Sequence, residues 1–123
     1  MKTVLVADDS KVVRDKLVVH LRSQGFEVFE ASDGQDAWDA MLSGKVKPSI
    51  CLLDLNMPKL GGLELCEKMR GHAEYKDTPV LMVTAQSDPS LKEKAKALGI
   101  RGWVLKPVIP ESIAQVVSKL IGN

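Results

Sequence analysis

The sequence predicts a doubly wound α/β fold, in which five parallel strands are covered on both faces by five helices. Three observations carry this. Short apolar runs alternate with amphipathic stretches of about three turns, the rhythm of successive βα units. Three of the runs, Thr3 to Ala7, Ile50 to Leu53 and Val80 to Thr84, are almost continuously apolar, as strands buried on both faces must be. Most of the nine glycines and six prolines fall between the two kinds of segment, where they close or open helices.

The first strand, Thr3 to Ala7, leads into a helix over Lys11 to Gln24. Val13, Leu17, Leu21 and Gln24 share one stripe of it, and Gly25 is placed to end it. The second strand, Phe26 to Ala31, alternates through Glu27-Val28-Phe29-Glu30 and so has one wetter face, as at a sheet edge. Ser32 and Gln35 stand at capping-box spacing, which starts the second helix there and ends it near Gly44. After the third strand, Ile50 to Leu53, a helix is expected from about Gly62 to Gly71. The polar stretch His72 to Thr78 reads as a surface loop. Beyond Val80 to Thr84, Asp88-Pro89 reads as N-cap and first helical residue. Leu91, Ala95 and Leu98 form the inward stripe up to Gly99. A short last strand, Gly102 to Leu105, suits the other edge. Pro110 then opens a helix with Ile113, Val117 and Leu120 facing inward.

Composition excludes much. The chain has 123 residues, 45% hydrophobic and 27% charged, which fits one ordinary globular core and no second one. A net charge of +1 argues against a global attraction to nucleic acid or anionic lipid. Aromatics, at 4%, are too few for a base-stacking platform. No apolar run is long enough to span a bilayer, and Met1-Lys2-Thr3 does not open a signal peptide, so a cytoplasmic protein is expected. Cys51 and Cys66 lack metal-ligand spacing and read as buried free thiols. His20 and His72 have no acidic partner at ligand spacing, and the five methionines read as gap-filling residues.

Function must therefore come from placement. In an open parallel sheet, ligands bind beyond the carboxyl ends of the strands. Asp8 and Asp9 follow the first strand, and Asp54 follows the third, with Asn56, Met57 and Pro58 behind it. Thr84 ends the fourth and Lys106-Pro107 follows the fifth, while Ser32 and Asp33 after the second lie off the site. Three carboxylates against one ammonium leave a formal −2 in a small crevice. At about 4 Å and an effective dielectric of about 20, each like-charge contact costs about 4 kcal/mol. A hard divalent cation relieves that repulsion, and oxygen-only ligands favour Mg²⁺ over zinc. The cation makes an incoming phosphoryl group tolerable, Lys106 can hold one of its oxygens, and Thr84 can donate a hydrogen bond. Asp54, alone at the end of a central strand, is the best-placed nucleophile, as aspartate is in ATPases that form aspartyl-phosphate. Taken singly, each residue has a plainer role: a helix cap for Asp8-Asp9, a turn for Asp54, strand propensity for Thr84, solvation for Lys106. Their joint delivery to one edge favours the chemistry.

Four segments now stand together. Val4-Leu5-Val6-Ala7-Asp8-Asp9-Ser10, Leu53-Asp54-Leu55-Asn56-Met57-Pro58 with Gly61, Val83-Thr84-Ala85, and Lys106-Pro107 come in that order at strand ends. In this the chain resembles the response-regulator receiver domains over essentially its whole length. The resemblance implies the flavodoxin-like strand order 2-1-3-4-5. It implies one receiver domain over residues 1–123 with no effector domain, of the stand-alone, CheY-like chemotaxis type. Such a protein is a phosphoacceptor switch of two-component signal transduction rather than an enzyme. It is expected to be monomeric and cytoplasmic, with a histidine kinase as phosphodonor and a separate protein target, in chemotaxis the flagellar motor switch. Asp54 would be the phosphoacceptor. Asp9 would bind Mg²⁺ directly, Asp8 mainly through water, and Asn56 through its backbone carbonyl. Thr84 and Lys106 would bind phosphoryl oxygens, and inward movement of Thr84 would be coupled to reorientation of Trp103, three residues before the lysine. The Lys106-Pro107 bond is commonly cis in relatives.

The chain departs from the family pattern at three positions. Trp103 replaces a tyrosine or phenylalanine, and Val108 stands where phenylalanine often follows Lys-Pro. Gln86 is neutral where the chemotaxis proteins carry glutamate; with Asn56 it flanks the path of the hydrolytic water and bears on the lifetime of the phosphorylated state. Elsewhere, Lys92, Lys94, Lys96 and Arg101 surround a single acid, Glu93, beyond the Asp88 cap. A solvated helix face accounts for that pattern. The resemblance adds an output surface on the fourth helix, fifth strand and fifth helix, where Lys92, Lys96, Arg101 and Trp103 would suit an acidic peptide. Three other readings compete. A flavodoxin-like cofactor binder needs a hydroxyl- and glycine-rich loop where Asp8-Asp9 stand. A dehalogenase-type phosphohydrolase usually wants Asp-x-Asp after its first strand and a longer chain. A phosphorylation-independent adaptor would not need the full acid, hydroxyl and lysine set.

Overall fold

The computed structural model describes residues 2–122. Its elements are β1 (Thr3–Ala7), α1 (Lys11–Ser23), β2 (Glu27–Ala31), α2 (Gly34–Leu42), β3 (Ile50–Leu53) and α3 (Gly62–Arg70). They continue through β4 (Val80–Thr84), α4 (Pro89–Ala97), β5 (Gly102–Leu105) and α5 (Pro110–Ile121). The strands form one parallel sheet in the order β2-β1-β3-β4-β5, as expected. β3 and β4 are buried at every residue, and the glutamate-bearing β2 and short β5 form the two edges.

Strand alternation divides the core in two. Leu5, Ala7, Cys51, Leu53, Val80 and Met82 face α2, α3 and α4, where they meet Met41, Leu65, Met69 and Ala95. Val4, Val6, Ile50, Leu52, Leu81 and Val83 face α1 and α5, against Leu17, Leu21, Ile113 and Val117. The chain winds outward from β1 to β2, then crosses back over β1 to place β3 on its other side. That reversal opens a crevice above β1 and β3, the topological switch point.

Local differences from the sequence reading have identifiable causes. Phe26 is buried just ahead of β2 rather than within it. Gln24 is exposed and forms the C-cap of α1 instead of an inward position. The N-cap of α2 is Asp33, not Ser32: its carboxylate accepts the Asp36 N–H at 2.7 Å, while the Gln35 side chain donates to Asp39 at 2.9 Å. The start is fixed there because the Gly34 N–H donates to the Leu60 carbonyl of the β3–α3 loop at 3.0 Å.

The stretch His72 to Thr78 is a packed turn, not a plain surface loop. Tyr75 is only 2% exposed, stacks on His72 and lies edge-on to Trp38. Its hydroxyl donates to the Met41 carbonyl at 2.7 Å. Arg70 ties the turn down, donating to the carbonyls of Thr78 and Leu98, each at 2.8 Å.

Cys51 and Cys66 are buried free thiols, as the sequence suggested, and burial pushes both above the ordinary thiol range, Cys51 by far. Because the thiolate is the reactive form, the native protein should resist iodoacetamide at neutral pH and label at both sites only in denaturant. Fast labelling of the native state, read by intact mass, would contradict this packing. Among the described residues, no helix is long and apolar enough to cross a membrane.

Candidate functional site

Strand register assembles the crevice. Ala7 pairs with Leu53 and the Asp54 N–H donates to the Ala7 carbonyl at 3.0 Å, so Asp8 and Asp54 leave adjacent strands side by side. Thr84 pairs with Leu105 and its carbonyl accepts the Lys106 N–H at 2.9 Å, which sets Lys106 next to it. Carboxylate oxygens of Asp8, Asp9 and Asp54 lie within 4.8 Å of one another. The Lys106 ammonium bridges two of them, 2.9 Å from Asp8 and 3.1 Å from Asp54. Asp8 and Asp54 are buried; Asp9 faces solvent.

Asp8 is fixed from every side. Its N–H donates to the Ala31 carbonyl at 3.1 Å, and its carboxylate accepts from the Ser10 N–H at 2.9 Å and from Lys106. Burial pushes its carboxyl above the usual carboxylate range, with the Ser10 and Lys106 bonds pulling against that rise and the Asp54 charge adding to it. Burial works against the charge on Lys106 as well, but its bonds to Asp8 and Asp54 outweigh it and hold the ammonium above its ordinary value. The donors offered to a metal are all oxygen, the set stays at −2 after Lys106, and Asp9 is open to water. That chemistry fits a hard, partly hydrated divalent cation rather than a thiolate- or imidazole-seeking one.

Of the remaining predicted residues, Thr84 ends β4 and Asn56 and Gln86 follow β3 and β4, at the same end of the sheet as this cluster. Thr84 is buried, and its hydroxyl oxygen accepts the Gln86 N–H at 3.3 Å, which leaves the hydroxyl proton free. Asn56 and Gln86 are exposed at the rim. They also line the end of a cavity of about 590 Å³, which lies between α3 and α4 beside the carboxylates rather than on them. The Trp103 indole N–H donates to the Gln86 carbonyl at 2.7 Å, so β5 is tied to the loop after Thr84. The Lys106-Pro107 bond is cis. Lys92 and Lys96 are exposed one turn apart on α4, and Arg101 is exposed ahead of β5. Lys94 instead lines the cavity facing α3, so the basic run is not one continuous face.

Three features escaped the sequence reading. The N-cap of α1 is Ser10, whose hydroxyl accepts the Val13 N–H at 3.3 Å, so neither aspartate is spent on that cap. Arg14, on the second turn of α1, donates to the Asp8 carbonyl at 2.6 Å. Asp33 is buried beside the neighbouring loop, with Lys59 at 3.9 Å. A serine after the acidic pair was a legible cap signal; nothing local marks the other two.

Residues 4–118 match the family described as response regulator receiver domain. A chemotaxis protein CheY homolog of Campylobacter jejuni is 32% identical over 98% of this chain and 92% of its own length. The chemotaxis protein CheY4 of Vibrio cholerae superposes with a TM-score of 0.87 at 34% identity, covering 97% of this chain and 98% of that one. The transcriptional regulatory protein SrrA of Staphylococcus aureus is 30% identical over 96% of this chain, which spans 47% of SrrA. With that match over almost its whole length, and with the acidic crevice at the β1–β3 switch point, the chain belongs to the response regulator receiver domain family of two-component signal transduction.

Proposed function

We propose that Asp54 takes a phosphoryl group from a histidine kinase, and that phosphorylation changes the affinity of this domain for a separate target. The chief support is the carboxylate triplet within 4.8 Å, bridged by Lys106 at the switch point. In the transfer, an Asp54 oxygen attacks phosphorus as the P–N bond to the donor imidazole breaks. The bonding pair leaves with the ring nitrogen, and an acyl phosphate remains on Asp54. Asp8, Asp9, Asp54 and the Asn56 carbonyl would hold Mg²⁺, which supplies neutralisation of phosphoryl charge when bound. Lys106 is placed to exchange its carboxylate contact for a phosphoryl oxygen, and Thr84 to donate its free hydroxyl proton to another. Exposed Asn56 and Gln86 flank the side from which water reaches phosphorus during hydrolysis. The similarity to chemotaxis proteins supports a motility target, and on this reading the target docks on α4, β5 and α5, near Lys92, Lys96, Arg101 and Trp103.

Incubation with Mg²⁺ and acetyl phosphate should add one phosphoryl group, read by intact mass and abolished by a chelator. If neither acetyl phosphate nor a cognate kinase gives an adduct, the phosphorylation-independent adaptor becomes the better reading.

Removing the ammonium tests the charge argument separately. Lys106→Met leaves two buried carboxylates facing each other, and should lower stability by about 3 kcal/mol in EDTA, as breaking a buried pair does. Saturating Mg²⁺ should recover most of that loss in urea unfolding. An equal loss with and without Mg²⁺ would show that the cation does not enter between these acids.

A further inference from the structure

Arg14 links the crevice to the helix behind it. Its side chain is only 15% exposed. Nη1 donates to the Asp8 carbonyl oxygen at 2.6 Å, while Nε lies 3.5 Å from a Glu30 carboxylate oxygen on β2. The Asp8 carbonyl belongs to the planar peptide that ends in the Asp9 nitrogen, so holding its oxygen fixes the plane from which Asp9 departs. Asp9 needs that support. It is exposed, its side chain takes part in no hydrogen bond or ion pair among the described residues, and yet its carboxylate belongs to the triplet. Asp8, by contrast, is already held by Ala31, Ser10 and Lys106.

We propose that Arg14 is a positioning residue for the cation site: anchored by Glu30, its guanidinium clamps the Asp8–Asp9 peptide and aims the Asp9 carboxylate at the metal. Arginine suits the task because its planar fork serves a carbonyl and a carboxylate at once in fixed geometry, which an ammonium cannot. Support that orients a ligand without touching the metal commonly changes metal affinity by about tenfold or more. This rests on the reading that the acidic triplet holds Mg²⁺.

The sign of one measurement separates positioning from charge. Deleting a positive charge near a cation site should by itself tighten Mg²⁺ binding, whereas losing the clamp should weaken it. An amide NMR titration of the unphosphorylated protein with Mg²⁺ reads the Kd and reports whether each variant is folded. Arg14→Met and Arg14→Lys should each raise the Kd about tenfold. In Mg²⁺-free spectra, the largest shift changes should fall at Asp9 and Ser10. Glu30→Gln, which leaves Arg14 in place but loosens its anchor, should raise the Kd by a smaller factor; it keeps the test open should the Arg14 variants fail to fold. Equal or tighter binding by folded Arg14→Met, full rescue by Arg14→Lys, or an unchanged Kd in Glu30→Gln would each overturn the clamp. A native protein that shows no saturable Mg²⁺ binding would instead overturn the metal reading beneath it.

Discussion

Asp54→Asn should erase the phosphoryl adduct completely and leave a folded protein at least as stable as the native one in Mg²⁺-free buffer. The amide has no nucleophilic carboxylate oxygen, but it keeps the shape of the side chain and an acceptor for Lys106, now 3.1 Å from Asp54. The substitution also removes one of two buried carboxylates that share a single ammonium. Part of the upward push on Asp8 comes from the Asp54 charge, so that push should ease. A carboxyl whose folded pKa falls contributes more stability above its unfolded pKa, and that added stability disappears as pH drops through the folded value. A gain of up to about 1 kcal/mol near neutral pH is therefore expected, weighed against one amide hydrogen-bond donor left to find water. Intact mass after acetyl phosphate treatment and urea unfolding in EDTA check both halves. A wild-type level of adduct would move the acceptor to another side chain, and an unfolded variant would make Asp54 a structural residue first.

The crevice was legible in the sequence because each of its parts is a local signal. An apolar run names a strand, and the polar residue after it names what that strand delivers; Asp8, Asp54, Thr84 and Lys106 were all found in this way. Their convergence needed only the rule that parallel strands end on the same side, and the observed register supplies it. What stayed hidden depends on partners far away along the chain. Tyr75 sits in a polar stretch, and its burial is explained by Trp38 and by Met41, 34 residues earlier. Arg14 looks like any solvated arginine of an amphipathic helix until β2 brings Glu30 alongside. The second helix start was misplaced by one residue because Ser32 and Asp33 are both good caps. The choice between them was made by the Leu60 carbonyl, supplied from a distant loop. Similarly, the count of lysines on α4 was right, but helical geometry turns Lys94 toward α3 and away from Lys92 and Lys96.

Gly62→Ala should be a severely damaging small substitution, because the space it needs is occupied by the acceptor's own backbone. A Cβ at Gly62 would stand 2.4 Å from the Asp54 carbonyl oxygen and 2.9 Å from the Met82 sulfur. Its φ lies outside the left-handed region, so the requirement is room rather than conformational freedom. Met82 can swing a flexible side chain, but the Asp54 carbonyl is held between β3 and the first turn of α3 and can retreat only by moving Asp54 or the helix. Overpacking of this kind costs about 3 kcal/mol. Gly99 provides the matched control. Its φ is +72° and nothing lies within 4 Å of its missing Cβ, so Gly99→Ala should cost about 1 kcal/mol of backbone strain and disturb no neighbour. The two variants should therefore separate in a second measurement. On folded protein, the rate of phosphorylation by acetyl phosphate should fall in Gly62→Ala by more than its unfolded fraction explains, and should be unchanged in Gly99→Ala. Native rates in both would mean that α3 shifts as a rigid body and spares the acceptor. A loss confined to Gly62→Ala would show that the glycine pair opening α3 is there to let the helix pack directly against the backbone that carries the phosphorylated residue.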